Sequence, residues 1–192
     1  KKCLLVEDTS GVPHWYEIVE SASLLPAGYT QLEYIASSGT QYINTGVLPT
    51  NNTFFSLEVE FDTIGNGYRF FGSSPETLMA GFGASVQNMF VNNGTTPVVA
   101  DVSSSLGHIM TIVYSGTTVT VDGTDYVCQQ AQPGDRNIFI NARGDSLTQR
   151  VGAGKWYSVK IGNGNTLVRD FVPARRNSDN VVGMFDMVTQ TF

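Results

Sequence analysis

Within residues 53–61, TFFSLEVEF, apolar and polar side chains alternate strictly from Phe55 onward. The apolar positions are Phe55, Leu57, Val59 and Phe61. A period of two residues is that of a β-strand with one buried face and one face in water. An α-helix would mix these side chains on every face, because its period is 3.6 residues. This segment therefore predicts a sheet that covers a core on one side only.

Short strand-like segments recur along the rest of the chain, separated by Gly, Asn and Asp turn signals. They span residues 68–72, 87–91, 109–114, 117–121, 124–128, 137–142, 155–161, 166–173 and 181–186. No segment predicts a helix of ten residues, and residues 75–79 suit at most one helical turn. About a dozen strands at this spacing predict a β-sandwich or jelly roll.

The composition supports an all-β protein and excludes two classes of partner. Charged residues make up 15% of the chain, against about a quarter in average domains. Ser, Thr, Asn and Gln supply the polarity, as in extracellular and virion β-proteins. A net charge of −6 without a large Lys/Arg cluster argues against nucleic acid as a partner. No apolar run approaches the roughly 20 residues that span a bilayer, so we expect no membrane insertion.

Two regions are predicted. Residues 1–23 form an arm or hairpin in which residues 3–6 and 14–19 have strand character. This region suits a local hairpin, an arm that contacts a neighbouring subunit, or the end of a preceding domain. Residues 24–192 form one β-sandwich domain. Cys3 and Cys128 allow one bridge at most, and two unpaired thiols are the simpler interpretation.

Two segments carry a family signature. The first is LPAGYTQLEYIASSGTQYINTG at residues 25–46; the second is KWYSVKIGNGNTLVRDFVPARR at residues 155–176, followed by VGMFD at 182–186. The chain resembles the concanavalin A-like, laminin-G-like jelly-roll domains of gut bacterial and phage proteins. In that family LP-x-GY-x-x-LEYI-x-S-x-GTQYI-x-TG commonly opens the domain, and LVRDF-x-P precedes its last strand. The resemblance implies an antiparallel two-sheet jelly-roll sandwich, here with a short N-terminal β extension.

The resemblance also implies a setting and a function. Such domains are usually accessory parts of surface or virion proteins and are presumed to bind glycans. We therefore expect a non-catalytic recognition or adhesion module on a phage virion or bacterial cell surface, with host glycan or surface polysaccharide as its partner. The alternative is a structural or decoration protein of a phage head or tail fibre. In that case the N-terminal arm would contact a neighbouring virion or surface protein, or build a homo-oligomer. A glycoside hydrolase is a distant third.

A glycan site needs exposed aromatic rings beside amide and guanidinium donors. Residues of these types lie at predicted strand ends and in turns. Binding residues in proteins are found disproportionately in such connecting segments. The candidate ligand-binding residues are Tyr68, Arg69, Asn92, Asn93, Asn141 and Arg143. The signature segments are instead assigned to packing, so partner contacts are expected from the middle of the chain and from the arm.

No catalytic residue is predicted. Glu58, Glu60 and Asp62 share one strand face, and laminarinase-like glycosidases carry paired carboxylates on a strand. Those enzymes also surround the pair with aromatic sugar platforms, and the segment EVEFD lacks the residue pattern that usually accompanies it, so these side chains are interpreted as solvent-facing. His14 and His108 lie outside any metal-binding motif.

No metal ligand is predicted from the residues themselves. Laminin-G-like relatives often bind calcium through loop oxygens, so the resemblance makes calcium the cofactor candidate. The acidic residues in or near the predicted loops are Asp122, Asp125, Asp135 and Asp145. No segment has the ligand density of a dedicated calcium loop.

Overall fold

The computed structural model describes residues 3–7, 13–17, 24–61, 67–74, 77–83, 88–91, 98–99, 101–144 and 152–192, with backbone alone for the first two ranges. These residues form sixteen strands and one short 3-10 helix, Ser103–Ser105. The strands are β1 Cys3–Glu7, β2 Pro13–Glu17, β3 Tyr29–Gln31, β4 Ile35–Ser38, β5 Ile43–Asn44, β6 Thr53–Glu60, β7 Arg69–Ser74, β8 Leu78–Phe82, β9 Met89–Val91, β10 Ile109–Ser115, β11 Thr118–Val121, β12 Thr124–Val127, β13 Phe139–Ile140, β14 Ala153–Asn163, β15 Thr166–Arg176 and β16 Val182–Asp186.

Two antiparallel sheets form the body of the protein. The larger has nine strands in the order β12-β11-β10-β6-β14-β15-β16, with β3 paired to β15 and β4 paired to β14. The smaller has five strands in the order β5-β13-β7-β8-β9. Strands β1 and β2 pair only with each other, as a hairpin. The predicted all-β class with two antiparallel sheets is confirmed.

Strand β6 behaves as its alternation predicts. Phe55, Leu57 and Val59 are fully buried, whereas Glu58 on the other face is exposed. The strand lies in the middle of the nine-stranded sheet, between β10 and β14. Burying each of these side chains contributes about 1.5–3 kcal/mol, so this strand is a major source of core stability.

Aromatic rings from the two sheets meet in one core. Phe55 of β6 lies 4.4 Å from Phe71 of β7, measured between ring centroids. Phe61, just after β6, meets Phe82 of β8 edge-on at 4.8 Å. Tilted and edge-on contacts of this kind add to the hydrophobic gain from burial. The sheets therefore face each other across a shared apolar layer, as in a sandwich.

The first signature segment lies in the large sheet where two long neighbouring strands, β14 and β15, separate from each other. Strands β14 and β15 pair along Val159–Asn163 and Thr166–Phe171. Outside this stretch β14 and β15 do not pair with each other. Strand β4 pairs with β14 there, and β3 pairs with β15. The segment thus pairs with two strands more than 100 residues away in sequence.

A second, smaller apolar cluster lies on the other face of β15 and β16. Leu25, Ala174 and Phe185 are buried there, and Tyr29 and Phe192 pack against them. The ring centroid of Tyr29 is 4.8 Å from that of Phe185 and 5.6 Å from that of Phe192. The opening LPAGY motif is therefore explained by packing against the last strand.

One local prediction was wrong. Leu78 and Met79, expected in a helical turn, belong to strand β8, in which all five residues are buried. A strand buried on both faces shows no polar alternation, so its period could not identify it. The first two residues of that predicted turn lie outside the described part of the chain.

Candidate functional site

A partly open cavity of about 350 Å³ lies where the first signature segment meets the smaller sheet. Its walls come from β4, the following loop, β5, β13, β14 and β16. The lining residues are Ile35, Ala36, Ser37, Gln41, Tyr42, Ile43, Ile140, Asn141, Trp156, Val182 and Gly183. This volume is near the lower end of the range of about 300–1,000 Å³ typical of small-molecule sites.

Two aromatic side chains line the cavity, and they differ in exposure. Tyr42 is 42% exposed, and its ring meets Phe139 edge-on at 5.8 Å. Trp156 is 1% exposed and stands perpendicular to Phe61 at 6.2 Å. The cavity therefore combines an accessible ring at the surface with a buried ring held by the core.

A hydrogen-bonded amide shapes one wall. The Nδ2 of Asn141 lies 2.9 Å from Ser37 Oγ, 2.8 Å from the Gln41 carbonyl oxygen and 2.9 Å from the Gly152 carbonyl oxygen. Its Oδ1 accepts a hydrogen bond from the Gly152 amide at 3.1 Å. Asn141 is 3% exposed and has φ of 57°, a left-handed conformation that Asn tolerates better than most residues. Its amide is fully used in joining β4, the Gln41 loop and the strand after Gly152.

Other polar groups at the cavity keep bonding capacity. The Trp156 indole N–H is buried and has no acceptor among the described residues. Gln41 uses its Oε1 to accept from Ser37 Oγ at 2.9 Å and from the Ser38 amide at 3.0 Å, and its exposed amide nitrogen contacts only Ser38 Oγ within the described chain. The Trp156 nitrogen has almost no accessible surface. The exposed Gln41 amide nitrogen is therefore a polar group at the cavity that a ligand can reach.

The cavity is lined by uncharged side chains wherever the chain is described. None of the described lining residues is acidic or basic. Lys155 precedes Trp156 on β14 and consequently points to the opposite face of the sheet. The cavity is thus suited to neutral ligands with both apolar and hydrogen-bonding parts.

Of the predicted site residues, the structure places only Asn141 in the cavity lining. Tyr68 lies against Gly152, where an added Cβ would be 3.1 Å from the Tyr68 ring. Arg69 Nη1 donates to the carbonyl oxygens of Tyr68 at 3.1 Å and Phe82 at 2.7 Å. Arg143 is half-buried beyond β13. Asn92 and Asn93 lie outside the described residues.

The sequence interpretation assigned two of the lining residues, Tyr42 and Trp156, to packing. It predicted no role for Gln41. All three belong to the signature segments. Tyr34 and Tyr42 look alike in sequence, yet Tyr34 lies 5.6 Å from Tyr157 on the outer face of the large sheet. Both tyrosines precede an isoleucine, in LEYI and TQYI, and only the preceding Gln41 and the position after β4 distinguish Tyr42 as a loop residue.

The paired carboxylates lie on that outer face. Glu60 Oε1 accepts from Lys155 Nζ at 2.6 Å, and its Oε2 accepts from the Tyr157 hydroxyl at 2.8 Å. These bonds, that of Lys155 above all, lower the pKa of Glu60. Glu58 accepts from Ser158 Oγ at 3.1 Å. A general acid at neutral pH needs a raised pKa, so Glu60 has the opposite tuning. Asp62 lies outside the described residues.

The acidic residues considered for calcium are engaged locally. Asp122 Oδ1 accepts from the Thr111 amide at 2.8 Å, and Asp125 Oδ1 accepts from Thr120 Oγ1 at 2.6 Å. Asp135 is exposed, and Asp145 is not among the described residues. Across the described ranges no three His, Cys, Asp or Glu side chains cluster as metal ligands would.

The two remaining sequence questions concern cysteine chemistry and membranes. Cys128 is a free thiol, and burial raises its pKa to about 11. Within the described residues, no helix has the length and apolar character needed to cross a membrane.

Comparison with known proteins adds no relative. The chain matches no protein-family model, and no curated protein or solved structure is significantly similar to it.

Proposed function

We propose that this protein is a non-catalytic recognition domain that binds a glycan in the cavity between its sheets. The observation that carries the proposal is the cavity itself, with an exposed tyrosine ring, a buried indole and uncharged polar groups. Sugars combine apolar ring faces with hydroxyl groups, and sites for them combine aromatic surfaces with amide and hydroxyl partners. The setting we propose is a phage virion or a bacterial cell surface.

The proposed fold type is a concanavalin A-like jelly roll. Its support is the signature at residues 25–46 and 155–186 together with the two antiparallel sheets. Residues of the same signature segments line the cavity, so the proposal moves the ligand contact from the middle of the chain to those segments. Calcium is not required by this proposal.

Tyr42→Ala tests the proposal, and Tyr34→Ala is its matched control. The two residues have similar exposure, 42% and 38%, and lie in one segment. We expect Tyr42→Ala to weaken binding to glycans selected on an array by about tenfold or more, because ring stacking is lost. Tyr34→Ala should leave the affinity within about twofold. Equal losses in both variants, or no glycan binding by a folded wild-type protein, would overturn the proposal.

The hairpin favours a second function. Strands β1 and β2 form a sheet of their own, which suits an arm that contacts a neighbouring protein or builds an oligomer. Deleting residues 1–23 and measuring mass by sedimentation distinguishes the two functions. A loss of assembly without any glycan binding by the intact chain would favour the structural role in a phage particle.

A further inference from the structure

Resting on the proposed glycan recognition, we infer that the cavity binds an acidic sugar, whose neutral ring lies in the cavity and whose carboxylate or sulfate group is bound at the rim by the guanidinium of Arg175. Three properties of the molecule lead to this ligand class. They are the face of the sheet on which Arg175 lies, the pairing of the other cations on the same strands, and the exposure of the residues at the mouth of the cavity.

Strand register places Arg175 beside a residue of the cavity lining. Arg175 of β15 lies directly opposite Val182 of β16, and Val182 lines the cavity. Directly opposite residues of an antiparallel pair share one face of the sheet, and their Cβ atoms are about 4.5–5.5 Å apart. The exposed side chain of Arg175 therefore begins at the rim of the cavity.

The burial of neighbouring residues supports the same face. Pro173 and Met184 are the pair two positions further along, and both are buried, with Met184 in the core between the sheets. Ala174 belongs instead to the second cluster, on the other face. Because successive side chains alternate between faces, Arg175 and Val182 lie on the face that carries the core and the cavity.

The other cations of β14 and β15 hold carboxylates of this chain. The pairs are Lys155–Glu60 at 2.6 Å, Lys160–Asp170 at 2.7 Å, Arg169–Asp186 at 3.4 Å and Arg176–Asp179 at 2.7 Å. Arg175 is the fifth cation of these strands, and it is exposed beside the cavity. Its charge is therefore the one that faces a ligand at this rim.

A guanidinium at the rim favours an anionic group over a hydroxyl group. Its planar fork donates two parallel hydrogen bonds to a carboxylate or a similar oxyanion. Such charge-assisted bonds are about twice as strong as those between neutral groups. Because Arg175 is exposed, the anionic group stays in contact with water and avoids the cost of burying a charge.

The cavity itself suits the neutral ring of one sugar. Its volume of about 350 Å³ is near the lower end for ligand sites. Ile43 and Ile140 supply apolar wall, and Tyr42, which is 42% exposed, offers its ring to the apolar face of a sugar. Val182 is 54% exposed and so lies at the mouth. An anionic group that projects from the mouth on this side is within reach of Arg175.

The test compares acidic sugars with neutral counterparts of the same shape by titration calorimetry. The probes are the methyl glycosides of glucuronic, galacturonic and N-acetylneuraminic acid, each against its methyl ester, and galactose 6-sulfate against galactose. We expect at least one acid to bind about tenfold or more tightly than its neutral counterpart, and the largest ratio identifies the anionic group. Higher ionic strength should narrow the difference, because salt screens exposed charges.

Arg175→Gln removes the charge and keeps a polar side chain. We expect it to abolish the preference for the acid and to leave the affinity for the neutral counterpart within about twofold. Arg176→Gln is the matched control, since it removes the same charge at the next position, which points to the other face and pairs with Asp179. This control should keep the preference.

Equal wild-type affinity for every acid and its neutral counterpart overturns this inference and leaves glycan recognition standing. A preference that Arg175→Gln retains, or that Arg176→Gln loses equally, also overturns it. If no sugar and no polysaccharide binds the folded wild type, both proposals fall. If Arg175→Gln does not fold, Val182→Glu decides, because it places a carboxylate directly opposite Arg175 and should remove the preference; an unchanged preference overturns the inference.

Discussion

The two faces of strand β14 differ in how completely their polar groups are paired. On the outer face, Lys155 and Tyr157 both bond Glu60, and the Lys155 ammonium lies 5.4 Å from the centre of the Tyr34 ring. On the inner face, Trp156 keeps a buried N–H without an acceptor in the described structure. Neighbouring residues of one strand thus belong to different environments, since successive side chains point to opposite faces.

This difference bears on which polar groups a ligand could engage. Groups that are already paired gain little from a ligand, because binding would exchange one hydrogen bond for another. An exposed group with few partners, such as the Gln41 amide nitrogen, can gain a bond when a ligand supplies an acceptor. By this criterion the charged outer cluster is structural, although its carboxylates attract attention in the sequence, and the neutral cavity is the proposed binding site.

The largest expected effect concerns the cavity wall. Asn141→Ala should lower the free energy of unfolding by about 2–4 kcal/mol, because it strands buried polar partners and places alanine in a left-handed conformation. Asn180→Ala is the control, since Asn180 has φ of 60° but is exposed. It should cost about 1 kcal/mol. Urea denaturation measures both. Equal costs would show that the Asn141 amide network contributes nothing beyond backbone strain.

A smaller effect concerns how far acid lowers the stability that Glu60 contributes on the outer face of the large sheet. Because its bonds to Lys155 and Tyr157 lower the pKa of Glu60 below its usual 4.5, the stabilisation is present above that pH. It is lost as the pH falls through the lowered pKa of the folded state. Lys155→Met removes the main cause of the shift. We therefore expect this variant to lose less stability than the wild type between pH 6 and pH 3, in denaturation curves.

Wild type and Lys155→Met losing stability in parallel across that range would contradict the role of Glu60. Tyr157→Phe is the companion variant. It removes the weaker of the two bonds and should give an intermediate acid dependence.

The smallest expected effect is that of pH on sugar affinity, which we expect to stay constant. The described cavity lining contains no carboxyl, imidazole or amino group, so sugar affinity should be constant within about twofold between pH 5 and pH 8. Titration at both ends of this range measures it. A clear pH dependence would show that a titrating group lies beside the ligand and would reverse the comparison between the two faces.

Sequence periodicity predicted strands well where one face is wet and failed at one strand that is buried on both faces. Strands β6 and β10 alternate, and they were predicted within a residue or two. Strand β8 is buried throughout and was missed. Predicting the site was harder. Asn141 was chosen for its residue type, and the structure places it in the cavity wall with its amide occupied, while Tyr42 and Trp156 were assigned to packing.

The amino-acid sequence alone determined the all-β class, a composition rich in uncharged polar residues and the positions of most strands and turns, because these depend on local periodicity and residue type. The tertiary structure decided which aromatic residues are accessible and where a cavity forms. Asn141 and Ser37 are hydrogen-bonded although 104 positions separate them in sequence. Strand β4 pairs with β14 where β14 no longer pairs with β15. Local patterns carry no information about such distant pairings, so identical-looking tyrosines in one signature segment acquire different environments.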